Sequence, residues 1–137
     1  MARPQPGGGP HVDWFAAAMG LVVAVVIQLV GGTLIFGSSR PDLVGQGLLT
    51  FAALLGGGAV GGLIGPVDAA VWNGVVVAVG FILVEELAGQ LGPVGHLGSA
   101  GLDTLGLVVD DVLVLSGGTL AGVLVAVLRK RRPQLRR

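Results

Sequence analysis

The chain has 137 residues, of which 53% are apolar and only 12% are charged, and its mean hydropathy is +0.88. Soluble domains carry about 25% charged residues, so the composition excludes an ordinary water-soluble surface and predicts extensive contact with lipid. The chain contains no cysteine, which excludes disulfides, thiolate metal sites and cysteine nucleophiles, and its formal net charge is zero.

The first predicted element is a membrane helix over residues 14–36. It follows a Pro/Gly-rich arm, residues 1–12, which we expect to be disordered because it cannot form a helix. The apolar run is too long for the core of a signal peptide, which spans roughly 7–15 residues. It ends at the segment Gly37 to Asp42, where Pro41 cannot continue a helix.

Three further apolar runs predict three further spans. The second run covers residues 43–64 and ends at a Gly-Pro turn, and the third covers 67–86. A connection of 16 residues, 89–104, contains six Gly or Pro residues and is long enough for a re-entrant segment. The fourth run covers 105–128. Each run approaches or exceeds the roughly 20 residues that a bilayer core requires.

The fold class predicted from these runs is all-α: a compact, polytopic bundle of four transmembrane helices over residues 13–129, followed by a basic tail, 130–137. Most basic residues lie in or beside that tail, namely Arg129, Lys130, Arg131, Arg132, Arg136 and Arg137. The positive-inside rule therefore predicts that both termini are cytoplasmic. We expect the chain in a prokaryotic cell (inner) membrane.

Small residues recur at every fourth position in all four predicted helices, which places them on one helix face. Such faces let helix backbones approach closely in lipid. The predicted packing glycines are Gly20, Gly32, Gly57, Gly61, Gly65, Gly74, Gly118 and Gly122. They suit packing within one bundle, and those of the second helix also suit a homo-oligomeric seam.

The first and fourth predicted helices resemble each other in sequence. Residues 20–34 and 106–120 share ten identities in 15 positions at an offset of 86. Two readings remain open: coincidence within Val/Leu/Gly-rich sequence, or an inverted repeat of the kind that many transporters use.

Two amides, Gln28 and Asn73, are the most notable polar residues within the predicted spans. A lone amide in lipid needs a hydrogen-bond partner, and we favour a bond between helices over contact with a substrate. Two acidic pairs near the predicted outer face are weak candidates for a Ca²⁺ or Mg²⁺ site: Glu85 with Glu86, and Asp110 with Asp111. A solvated acidic rim is the favoured interpretation of these pairs.

No phosphate loop, nucleophile elbow or HExxH motif occurs in the sequence. We therefore expect no catalysis, no cofactor and no binding of nucleic acid. The expected partners are the lipid bilayer and either further copies of the chain or a larger membrane protein. The favoured function is a structural or accessory subunit. A homo-oligomeric cation channel or small transporter and a holin-like pore former are the alternatives.

Overall fold

The computed structural model describes residues 11–37, 43–90 and 104–131, with side chains at 11–37, 44–88 and 111–131. Regular structure in these ranges is entirely helical. A short 3-10 helix, Val67–Ala69, precedes the third of four α-helices: α1 Trp14–Phe36, α2 Leu43–Ile64, α3 Ala70–Gln90 and α4 Thr104–Arg131. Each α-helix contains a stretch long and apolar enough to cross a membrane.

The observed ends of α3 and α4 differ from the predicted ones. The predicted third span begins with the 3-10 turn, and α3 continues four residues beyond Glu86, while α4 starts at Thr104 and reaches Arg131. Glu85 and Glu86 therefore lie within α3, and Asp111 lies about two turns into α4. The predicted re-entrant segment, the arm up to residue 10 and Arg132 with the rest of the tail lie outside the described residues.

The four helices form a ring in the order α1, α2, α4, α3. Among neighbouring helices in the ring, α1 and α3 make the smallest contact. Helices α2 and α3 also contact each other across the middle of the ring, whereas α1 does not contact α4. Side chains from all four helices meet inside the ring, chiefly Ala24, Leu54, Val77, Phe81 and Val114. The interior is therefore a filled apolar core.

Backbone contacts join α1 to α2. A methyl group placed on Gly20 would lie 2.5 Å from the Gly57 carbonyl oxygen, and one on Gly57 would lie equally close to the Gly20 carbonyl. One turn away, Gly61 faces the carbonyl of Ala16. These positions accept no side chain without movement of the backbone.

The same arrangement joins α3 to α4. A methyl group on Gly118 would lie 2.5 Å from the Gly74 carbonyl oxygen and 2.9 Å from the Ala78 methyl. A methyl group on Gly122 would lie 2.5 Å from the Ala70 carbonyl oxygen. Both hairpins are thus held by contact of backbone against backbone.

The two hairpins repeat one packing pattern in the same orientation. Ala16, Gly20 and Ala24 of α1 correspond to Ala70, Gly74 and Ala78 of α3, at an offset of 54. The glycine pair of α2, Gly57 and Gly61, corresponds to Gly118 and Gly122 of α4. Packing therefore pairs α1 with α3, and not with α4 as the sequence resemblance between residues 20–34 and 106–120 had suggested.

One predicted packing glycine is not in a helix contact. A methyl group on Gly32 would meet no atom within 4 Å, whereas one on its neighbour Gly31 would meet the side chain of Leu49 on α2. Adjacent residues lie about 100° apart around a helix, and at this level Gly31 is the one that faces α2. The prediction of Gly32 as a packing residue is wrong for that reason.

The α2 face that had suggested a seam between copies is occupied within the chain. Gly57 and Gly61 lie against α1, while a methyl group on Gly58 would lie 2.8 Å from the Ala121 methyl of α4. Gly62 likewise faces Val125 of α4. These glycines serve to pack α2 between its two neighbours in the ring.

Candidate functional site

Hydrogen bonds between distant parts of the chain occur at one end of the bundle, which we call the turn end; it contains Asp13, the turn at Gly65 and Pro66, and Arg129. Asn73 is fully buried there. Its amide oxygen accepts a hydrogen bond from the Asp13 backbone N–H at 2.9 Å, and its amide nitrogen donates to the Gly61 carbonyl at 3.0 Å. Asn73 thus joins α1, α2 and α3.

Asn73 lies within the apolar stretch predicted as the third span. Because the 3-10 turn shifts the start of α3 to Ala70, Asn73 is one turn from the end of that helix. It faces the α2–α3 turn, where a methyl group on Gly65 would lie 2.5 Å from its amide nitrogen. Gly65 therefore makes room for this amide.

Arg129, in the last turn of α4, caps the carboxyl end of α2. Its guanidinium Nη1 lies 3.0 Å from the Gly62 carbonyl oxygen, 2.6 Å from that of Gly65, and 3.4 Å from that of Leu63. The last carbonyls of a helix have no partner within the helix and form the negative end of its dipole. The sequence had indicated only a role for Arg129 in membrane topology.

Replacing Arg129 with glutamine is expected to destabilise the bundle by about 1–2 kcal/mol, because charge-assisted bonds to the α2 carbonyls are lost. Reversible unfolding in mixed detergent micelles measures the change. Lys130→Gln is the matched control, since it removes the same charge from an exposed neighbour. Equal stability of the two variants would contradict the capping role.

Gln28 bridges the far half of α1 and α2. Its amide nitrogen donates to the Thr50 hydroxyl oxygen at 3.0 Å, and both side chains are buried. Both amides singled out from the sequence therefore make hydrogen bonds between helices.

Three residues of the predicted acidic pairs, Glu85, Glu86 and Asp111, lie toward the opposite end of the bundle. Glu85 is half-buried, while Glu86 and Asp111 are exposed; the side chain of Asp110 lies outside the described set. Across the described ranges, His, Asp and Glu side chains form no group of three or more that could hold a metal ion. The acidic pairs are thus not brought together into a cation site in this part of the chain.

An apolar groove runs between α1 and α3, which make the smallest contact between neighbouring helices in the ring. Its volume is about 420 Å³, and its walls include Trp14 and Ala18 on α1 and Val76, Val79 and Leu83 on α3. Apart from the Trp14 indole, every lining residue is aliphatic or glycine. Sequence analysis did not identify this groove, because it depends on the relative placement of two helices.

A smaller cleft lies beside the groove at the turn end. Its volume is about 300 Å³, and it is lined by His11, Val12, Asp13, Trp14, Pro66 and Ala69. Trp14 lines both recesses. The groove and the cleft therefore meet at Trp14, and the cleft adds two polar side chains, His11 and Asp13, to the apolar walls of the groove.

Comparison with known proteins finds no matching family model, no matching curated protein and no matching solved structure. Asn73 and Arg129 hold the helices together at the turn end, and the groove with its cleft offers a recess that has both apolar and polar side chains in its walls.

Proposed function

We propose that the chain is a four-span integral membrane protein of a prokaryotic cell membrane, with both termini in the cytoplasm. Two features support the proposal: four apolar helices of sufficient length, and large apolar side chains exposed on every helix, such as Val22, Leu48, Leu83 and Leu124. The turn end would face the cytoplasm, because it carries the basic end of α4.

Within that membrane, the function that the geometry supports best is that of a structural or accessory subunit. The observation that carries this proposal is the way in which the interior of the bundle is filled. Leu54, Phe81 and Val114 fill it, and backbone contacts between glycines hold the helices around it. The buried amides Gln28 and Asn73 bind neighbouring helices. A bundle packed in this way is rigid and offers its outer faces to partners in the membrane.

A homo-oligomeric cation channel or small transporter is the second candidate. The exposed carboxylates Glu86 and Asp111 favour it, because acidic groups at a pore mouth concentrate cations. Since each bundle has a filled core, the path would have to run between copies. A holin-like pore former, suggested by small size, several spans and a basic tail, is the third.

Purification from the host membrane in mild detergent separates these functions. An accessory subunit is expected to co-purify with one membrane protein at a fixed ratio, and the purified chain alone is expected to give no ion flux in liposomes. A defined homo-oligomer whose cation flux falls in Glu86→Gln would contradict the subunit and support the channel. Death of the host upon induction of the chain would support the holin-like function instead.

A further inference from the structure

We propose that the groove between α1 and α3, together with the adjoining cleft, binds one phospholipid of the leaflet at the turn end. One acyl chain occupies the groove and the headgroup occupies the cleft. This inference rests on the proposed placement in a membrane, but it does not depend on whether the chain is an accessory subunit, since it concerns a ligand of the single bundle.

The walls of the groove suit a hydrocarbon chain. Leu21 of α1 meets Gly80 of α3 beneath it: a methyl group on Gly80 would lie 3.0 Å from a Leu21 Cδ atom. The two helices therefore touch under the groove, which makes it a recess with an aliphatic floor. Its volume of about 420 Å³ is within the range of sites that enclose small ligands, about 300–1,000 Å³.

The cleft suits a headgroup. The Asp13 carboxylate accepts a hydrogen bond from the Ala16 N–H at 3.1 Å, and the Asp13 N–H donates to Asn73. These bonds hold the Asp13 wall of the cleft in place. His11 presents an exposed imidazole at its edge, and an imidazole N–H donates to oxygen acceptors such as those of a phosphate. The cleft thus has a wall that the fold holds in place and a hydrogen-bond donor at its edge.

Trp14 marks the junction of the two recesses. It is 72% exposed and lines both, and tryptophan prefers the boundary between the apolar and polar regions of a membrane. An apolar recess that meets, at such a residue, a cleft with two polar side chains suits an amphiphile. A partner helix or a second copy would fill the groove but would have no use for the cleft.

Fluorescence quenching by phosphatidylethanolamine with brominated acyl chains tests the proposal. The chain has two tryptophans, Trp14 and Trp72. Because Trp72 shares a helix face with Val75 and Val76 of the groove, Trp72→Phe is used to leave Trp14 as the reporter of the groove. The control reporter is Leu124→Trp, at an exposed leucine of α4, in a chain whose two native tryptophans are replaced by phenylalanine. In detergent, Trp14 is expected to show saturable quenching that ends at one lipid per chain. The reporter at position 124 is expected to be quenched only in proportion to the bulk fraction of brominated lipid.

A variant that fills the groove tests whether the saturable quenching comes from lipid bound in the groove. Ala18 is exposed and lines the groove; in the Trp72→Phe background, Ala18→Leu is expected to weaken the saturable quenching about tenfold, a change of about 1.4 kcal/mol. Ala52→Leu, at an exposed alanine of α2 outside the groove, is the matched control. Val79→Phe fills the groove from α3 and serves if Ala18→Leu does not fold.

Three outcomes would overturn the proposal. The first is proportional quenching of both reporters, Trp14 and the one at position 124, which means ordinary contact with bulk lipid. The second is saturable quenching of Trp14 that Ala18→Leu and Val79→Phe leave unchanged. The third is a dimer in native mass spectra that Ala18→Leu converts to monomer, which means that a second copy fills the groove.

Discussion

Replacing Gly118 with alanine is expected to destabilise the bundle by about 2–3 kcal/mol, because over-packing of a tight contact forces the backbone to move. The added methyl would lie 2.5 Å from the Gly74 carbonyl oxygen. A flexible side chain could turn away, but a carbonyl within a helix cannot. Reversible unfolding in mixed detergent micelles measures the loss.

The matched control is Gly32→Ala. Gly32 and Gly118 occupy equivalent places in the two Gly-Gly-Thr-Leu segments of the sequence, yet a methyl group on Gly32 would meet nothing within 4 Å. Alanine at that position is expected to leave stability unchanged or to raise it by up to about 1 kcal/mol, from helix propensity alone. Equal losses at both positions would show that the α3–α4 contact is not packed as described.

Replacing Asn73 with alanine is expected to destabilise the bundle by about 2 kcal/mol, because the Asp13 backbone N–H would lose its acceptor in a part-buried place. The Gly61 carbonyl keeps one donor, the Gly65 N–H, at 3.3 Å. The loss is therefore expected to be local to the start of α1. Hydrogen exchange should quicken at the Asp13 amide and in the first turn of that helix.

Ser116→Ala is the control for this substitution. Ser116 donates its hydroxyl only within α4, to the Leu113 carbonyl at 2.8 Å, so its removal is expected to change stability by less than about 0.5 kcal/mol. If Asn73→Ala proves as mild as Ser116→Ala, or if exchange at the start of α1 does not change, then the amide does not fasten the turn end.

The number, order and approximate ends of the helices could be predicted from the sequence. That prediction needs only the length of each apolar run and the segments at Pro41 and Pro66 that break the helices. The ends of α3 and α4 were less predictable. Glu85 and Glu86 interrupt the hydropathy but not the helix, because glutamate is a good helix former. Hydropathy marks where an apolar run stops, not where its helix ends.

The polar contacts of the turn end could not be predicted, because the sequence does not show which helices are neighbours. Arg129 reaches the end of α2 only because α4 continues to Arg131 alongside it. The hairpin repeat left a signal that could have been read: the pattern Ala-x3-Gly-x3-Ala occurs at residues 16–24 and again at 70–78. The longer resemblance between residues 20–34 and 106–120 involves α1 and α4, whose packing contacts do not correspond in this way.

The central claim is that the chain crosses a membrane four times with the turn end in the cytoplasm. Because the chain contains no cysteine, single-cysteine variants labelled with a membrane-impermeant maleimide on intact cells test it most directly. We expect Ser39→Cys to react in intact cells, and Asp68→Cys and Gln134→Cys to react only after the membrane is opened. Reaction of Asp68→Cys in intact cells, or recovery of the chain in the soluble fraction without detergent, would contradict the claim.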